Sequence, residues 1–235
     1  MIVDRISDKY DELSATSDET NRKKIQSEIN ELSIEAAKYA IPNEFDRLIS
    51  KFGGSGLNAW TGYDNTVYHN TFSPQYFSQW AEVCSERIIN PVFRLFQSEL
   101  ETVYEEKNMY ADQLVQSALE KVLENFFSPH PYAYPIIGST ENLKNPKLSE
   151  MKKFFGDYYV AGNMGLILSG DFNTDEIIPV LEKSFGRIKK GIAPVKEIPQ
   201  PKDFKGEQSV DILVKIPVIK LKVVAWRGVQ AGHED

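Results

Sequence analysis

Four carboxylates fall within eight consecutive positions of one stretch: Glu99, Glu101, Glu105 and Glu106. Carboxylate oxygens are the hard ligands that divalent cations take, and they also act as acids and bases in hydrolysis. No Pro or Gly interrupts residues 99–127. Leu100, Val103, Tyr104, Leu114, Val115, Leu119, Val122, Leu123 and Phe126 recur there at the helical period. The spacing predicts one long helix from Glu99 to Phe127, around which the rest of the chain is organised. At about 100° per residue, a separation of seven brings Glu99 and Glu106 nearly onto one face, two turns apart, while Glu105 points elsewhere. Two readings are open. One is a solvated acidic helix start favoured by the helix dipole; the other is a metal ligand with a second carboxylate behind it.

The remaining chemistry-bearing residues are sparse. There are three histidines, His69, His130 and His233, and one cysteine, Cys84. His69 falls in a strand-like segment and reads as packed or hydrogen-bonded within a sheet. His130, between two prolines, reads as a loop anchor. Cys84 sits on an apolar helix face and reads as core, and with one cysteine no disulfide can form within the chain.

The elements that must position these groups follow the local patterns. Ile2, Ile6 and Leu13 mark a first helix. Thr16 followed by Glu19 has the form of a capping box for a second, whose Ile25, Ile29, Leu32, Ala36 and Tyr39 form a packing seam. A helix over residues 43–51 stops at Gly53 and Gly54. Two short strands follow, Leu57 to Thr61 and Thr66 to Phe72, joined by a turn at Gly62 to Asn65. Ser73-Pro74 opens another helix. Residues 128–138 are too rich in proline for a regular helix. Beyond them come a helix from Leu148 to Tyr159, a buried strand from Asn163 to Ser169, and a helix capped by Thr174 and ending at Gly186. This order is α+β. Residues 190–205 hold three prolines among charges and read as a linker, followed by strands over Val210–Ile216 and Val218–Trp226. The domain division is therefore 1–189, opening with a helical hairpin over residues 1–40, then the linker 190–205, then 206–235 as the first strands of a following domain.

A net charge of −7 with scattered basic residues argues against a general nucleic-acid binder. No apolar run approaches the roughly 20 residues that span a bilayer, and no signal peptide is visible. Compartment is left open.

With these pieces in order, the sequence resembles the pitrilysin/insulinase family of zinc metallopeptidases, from about Asn43 to Gly186. The resemblance rests on GGSGLNAWTGYDNTVY (53–68), ELETVYEEKNM (99–109), HPYAYPIIGS (130–139) and FFGDYYVAGNMGLILSGDF (154–172). It implies a metallohydrolase domain like that of insulinase and the mitochondrial processing peptidase. Such a domain packs an antiparallel sheet with helices, and here it is expected to be incomplete at its N-terminus. The family binds zinc through H-x-x-E-H on one helix plus a glutamate from a later one. The resemblance implies Glu106 as that ligand and Glu99 as the carboxylate supporting it. It also implies that Asn58, Ala59, Trp60 and Thr61 hold a peptide substrate as an added strand. None of the three histidines lies in H-x-x-E-H. The motif is expected to precede Met1, so the expectation is part of a zinc endopeptidase. Zn2+ would be held by the intact protein, none stably by this chain, and this chain alone would be inactive. Further domains or a homologous subunit would complete the substrate chamber. Two alternatives stand: a non-catalytic member that binds peptides or partners an active subunit, and an α+β interaction domain acting through the hairpin of residues 1–40.

Overall fold

The computed structural model describes residues 1–211 together with 222, 224–226, 228, 229 and 234. In chain order the elements are α1 (Ile2–Ala15), α2 (Glu19–Ala37), α3 (Glu44–Lys51), β1 (Ser55–Thr61), β2 (Thr66–Thr71), α4 (Phe77–Ile89), α5 (Phe96–Asp112), α6 (Leu114–Phe127), α7 (Thr140–Lys144), α8 (Leu148–Tyr158) and α9 (Thr174–Ser184).

Ile6, Tyr10 and Leu13 on α1, and Ile25, Ile29, Leu32 and Ala36 on α2, alternate spacings of four and three. Each set forms one stripe, and the two stripes bury each other. Each aliphatic side chain fully withdrawn from water contributes on the order of 1.5–3 kcal/mol. Phe96 of α5 and Leu148 of α8 close this core, with Tyr10 meeting Phe96 edge-on at 5.2 Å. The cap differs from the expected box. The Thr16 hydroxyl donates back to the Glu12 carbonyl and closes α1, whereas Asp18 accepts from the Asn21 backbone N–H and opens α2. Tyr39 lies beyond the end of α2, and the seam ends at Ala36.

A second core gathers Ile49, Trp80 and Ala81 with Phe72, Phe77 and Phe185 around them; Phe72 stacks on Trp80 at 4.3 Å. It holds the two-stranded antiparallel sheet, β1 against β2, with Asn58 opposite His69 and Thr61 opposite Thr66. Gly54 lets α3 run this closely into β1. A Cβ there would stand 2.5 Å from Ile49 Cγ2 and 2.8 Å from the Thr71 carbonyl oxygen. Arg187 ties the far side together by donating to Glu82 and Glu86 of α4.

Two expectations are corrected. The stretch from Glu99 to Phe127 is two helices, because Gln113 is extended at φ −83°, ψ 107°. The chain folds back there, and Lys107 reaches Glu120 at 3.2 Å. On one continuous helix residues thirteen apart would be separated by roughly 20 Å. No helix breaker stands at the bend, so tertiary packing overrides local propensity. The apolar residues accordingly do not share one face: Leu100 packs on the first core while Val115 and Leu119 are exposed. The second correction concerns residues 163–169, which form no strand among the described residues. Met164 is extended, but a strand needs a neighbour for its backbone groups, and among the described residues the sheet consists of β1 and β2. Leu168 packs on the second core and Ile167 is 92% exposed. The strands expected over Val210–Ile216 and Val218–Trp226 lie largely outside the described residues. Among the described residues no helix is long and apolar enough to cross a membrane.

Candidate functional site

β1, α5, α6 and the proline-rich loop after α6 enclose a cleft of about 650 Å³. Ala59, Trp60 and Thr61 form its strand wall. Glu106 and Tyr110, one turn apart on α5, face it together with Gln116, Glu120 and Leu123 of α6. Residues 132–137 of the loop close the remaining side. The cleft exists because the chain bends at Gln113. Without that bend α5 and α6 could not both present side chains to one space.

The loop wall is built from aromatic contacts. Tyr63, in the β1–β2 turn, lies 4.6 Å from Tyr132 ring to ring, and its hydroxyl donates to the Tyr134 carbonyl at 3.3 Å. His130 Nδ1 accepts the backbone N–H of Tyr132 at 3.1 Å, and its ring meets Tyr132 at 4.5 Å. His130 therefore anchors the loop, as its position between prolines indicated. On the sheet side, Tyr68 shares a hydrogen bond of 2.7 Å with Tyr159, and Arg87 lies between the Tyr68 and Phe45 rings, 5.2 and 4.4 Å from their centroids.

The electrostatics of the cleft come from two carboxylates in different circumstances. Glu106 is exposed and accepts a hydrogen bond of 3.1 Å from the Tyr110 hydroxyl. That bond, with the charge behind it, holds the Tyr110 phenol above its ordinary pKa and so protonated. Glu120 is half-buried, and both its oxygens face the ammonium of Lys107, at 3.2 and 3.4 Å. Lys107 itself is buried.

Glu106 thus meets Ala59, Trp60 and Thr61 in one cleft. Asn58 precedes that wall, with its side-chain oxygen accepting from the Ala59 N–H at 2.8 Å. Glu99 is exposed and stands two turns before Glu106, about 10 Å along α5, outside the cleft. His69 lies opposite Asn58 and is exposed rather than packed. His233 lies outside the described residues. Among the described residues, no three His, Cys, Asp or Glu side chains come together as a group that could hold a metal ion. The donor set present does not fit a zinc site, which takes three protein ligands.

Sequence reasoning did not find Tyr63, Tyr132 and Tyr134, or the Lys107–Glu120 pair. The alternation of Tyr132 and Tyr134 between prolines was the available sign of a loop showing aromatic faces. The ion pair left no sign, because its members are thirteen residues apart on what reads as one helix.

Comparison with known proteins places these features. The profile of the insulinases (peptidase family M16) matches residues 29–140, and that of the peptidase M16 inactive domain matches residues 147–235. The chain is 28% identical over 179 residues to a zinc protease, PqqE, of Helicobacter pylori, covering 74% of this chain and 39% of that protein. It is 24% identical over 187 residues to the mitochondrial-processing peptidase subunit beta of Caenorhabditis elegans, covering 77% and 40%. Among solved structures, a protease from Helicobacter pylori matches with a TM-score of 0.58 and 28% identity, over 68% of this chain and 38% of that one. A peptidase M16 inactive domain from Pseudomonas fluorescens matches in fold, with a TM-score of 0.60 at 17% identity, over 67% and 39%. The chain spans about two fifths of the length of these two curated relatives.

Proposed function

The chain belongs to the insulinase family of M16 peptidases, and from that premise we propose that residues 1–235 supply the peptide-holding wall of a zinc endopeptidase without performing hydrolysis themselves. The reading is carried by one observation, the meeting of Ala59, Trp60 and Thr61 with Glu106 in a single cleft. β1 pairs with β2 along one side, and a peptide laid along its other side adds a strand, gaining main-chain hydrogen bonds that depend little on sequence. Asn58 fixes the start of that edge. Glu106 is the carboxylate this reading gives to the metal, and Glu99 is its support two turns back.

No hydrolytic step is assigned to this chain. In this family the H-x-x-E-H motif carries two metal ligands and the general base, and residues 1–235 contain no such motif. Zn2+ belongs to the intact active assembly, with further domains or a homologous subunit closing the chamber. Residues 1–189 are the peptidase-domain portion, 190–205 the linker and 206–235 the start of the next unit. A non-catalytic family member, binding peptides or partnering an active subunit, shares the same cleft and stands as the second reading.

The test is to incubate the purified chain with an unstructured peptide and Zn2+, and to follow the peptide by mass spectrometry. The peptide is expected to remain intact while bound. Cleavage that a chelator abolishes contradicts the reading.

A further inference from the structure

Glu120 lies on the wall of a cleft that also carries Trp60, Tyr68 and Tyr132. A carboxylate set beside Trp and Tyr faces is the arrangement that recognises a lysine or arginine side chain, through charge and cation–π attraction together. In this chain that carboxylate is already engaged by Lys107, across both its oxygens. Lys107 is 8% exposed, and an ammonium so withdrawn from water needs its counter-charge. Glu120 therefore cannot turn to an incoming cation without stranding Lys107. The rest of the wall mixes aromatic and aliphatic groups, notably Trp60, Tyr132, Tyr134, Leu123 and Ile136, with Glu106, Gln116, Thr61 and Thr66.

We infer that Lys107 biases which side chains the cleft accepts: as the built-in counter-ion of Glu120, it withdraws that carboxylate from recognition, so that the cleft favours an uncharged aromatic or long aliphatic side chain of a peptide over a basic one. This inference rests on the peptide-binding reading above. Glu106, the second carboxylate, is present in wild type and in both variants, so its own pull on a basic side chain cancels when each variant's Phe-to-Arg ratio is divided by that of wild type.

The experiment uses two short, capped, dye-labelled peptides of alanine and serine, identical but for one central residue, Phe or Arg, with binding to the full chain read by fluorescence anisotropy. Wild type is expected to bind the Phe peptide roughly fivefold more tightly, from the apolar area it buries. In Lys107→Met the freed carboxylate is expected to move the ratio roughly tenfold towards Arg, the worth of one partly desolvated charge pair. The double variant Lys107→Met/Glu120→Gln removes both charges and is expected to keep the wild-type ratio. If wild type binds neither peptide, the peptide-binding reading falls and the inference with it. If wild type binds both but favours Arg, or if folded Lys107→Met leaves the ratio unmoved, the inference alone is overturned. Should circular dichroism show Lys107→Met unfolded, the double variant decides. A ratio equal to wild type supports the inference. A ratio moved further towards Phe shows that Glu120 was already serving cations, and overturns it.

Discussion

Cys84 shows how burial settles the chemistry of a single side chain. It sits beside the second core, and desolvation pushes its thiol from 9.0 up to about 12, against a smaller opposing pull from Arg87. Two outcomes follow. The native thiol is expected to resist iodoacetamide at pH 8 and to react fully in urea. The sign for stability is also fixed. Above pH 9 the unfolded thiol ionises and the folded one does not, so the folded state holds the extra proton and stability falls as pH rises towards 12. Buried Tyr10 and half-buried Tyr159, both raised chiefly by desolvation, add in the same direction above pH 10. Urea midpoints for Cys84→Ala are expected to fall less steeply over that range; a slope equal to wild type contradicts the assignment. Residues of this kind were legible from sequence, since an apolar helical face names its members. Glu106 was singled out by its helical period with Glu99 and by the resemblance; the structure sets Glu106 on the cleft wall and Glu99 outside it. Lys107 and Glu120 were not legible, because their meeting depends on a bend that no residue type announces.

Among the elements, those built on local rules were legible and those built on distant contacts were not. The α1–α2 hairpin follows from apolar spacing, and the β1–β2 pair from the turn at residues 62–65. The bend at Gln113, and the lack of a strand partner for residues 163–169 among the described residues, depend on what lies next to them in space. An extended apolar run becomes a strand only when a neighbour receives its hydrogen bonds. The hairpin's own join also came from afar. Arg22 donates to the Leu13 and Thr16 carbonyls at 2.8 and 2.9 Å and to Asn145 at 2.7 Å, fixing the α1–α2 turn against the segment after α7. Removing a half-buried guanidinium that makes three such bonds costs about 1–3 kcal/mol. Arg22→Ala is expected to lower the urea midpoint accordingly. Arg22→Lys, which keeps the charge but loses the planar fork, is expected to recover only part of it. An unchanged midpoint in Arg22→Ala contradicts this role.

At the scale of the whole molecule, the proposed function asks the cleft to hold a peptide without cleaving it. The curated relatives are more than twice as long as the portion matched here, and several are named zinc proteases. This chain brings a strand edge and a carboxylate to one cleft but does not gather a metal-holding group among its described residues. On the proposed function, peptide capture by strand addition is the activity to test, and main-chain hydrogen bonding is the interaction that carries it. The direct measurement is titration calorimetry of the full chain with an unstructured apolar peptide and with the same peptide N-methylated at alternate amides. N-methylation removes the donors a strand needs while leaving every side chain in place. The account expects the unmodified peptide to bind and the N-methylated one to lose at least about tenfold in affinity, the loss of one or two such bonds at an interface. Equal binding of the two, or no binding of either, contradicts it.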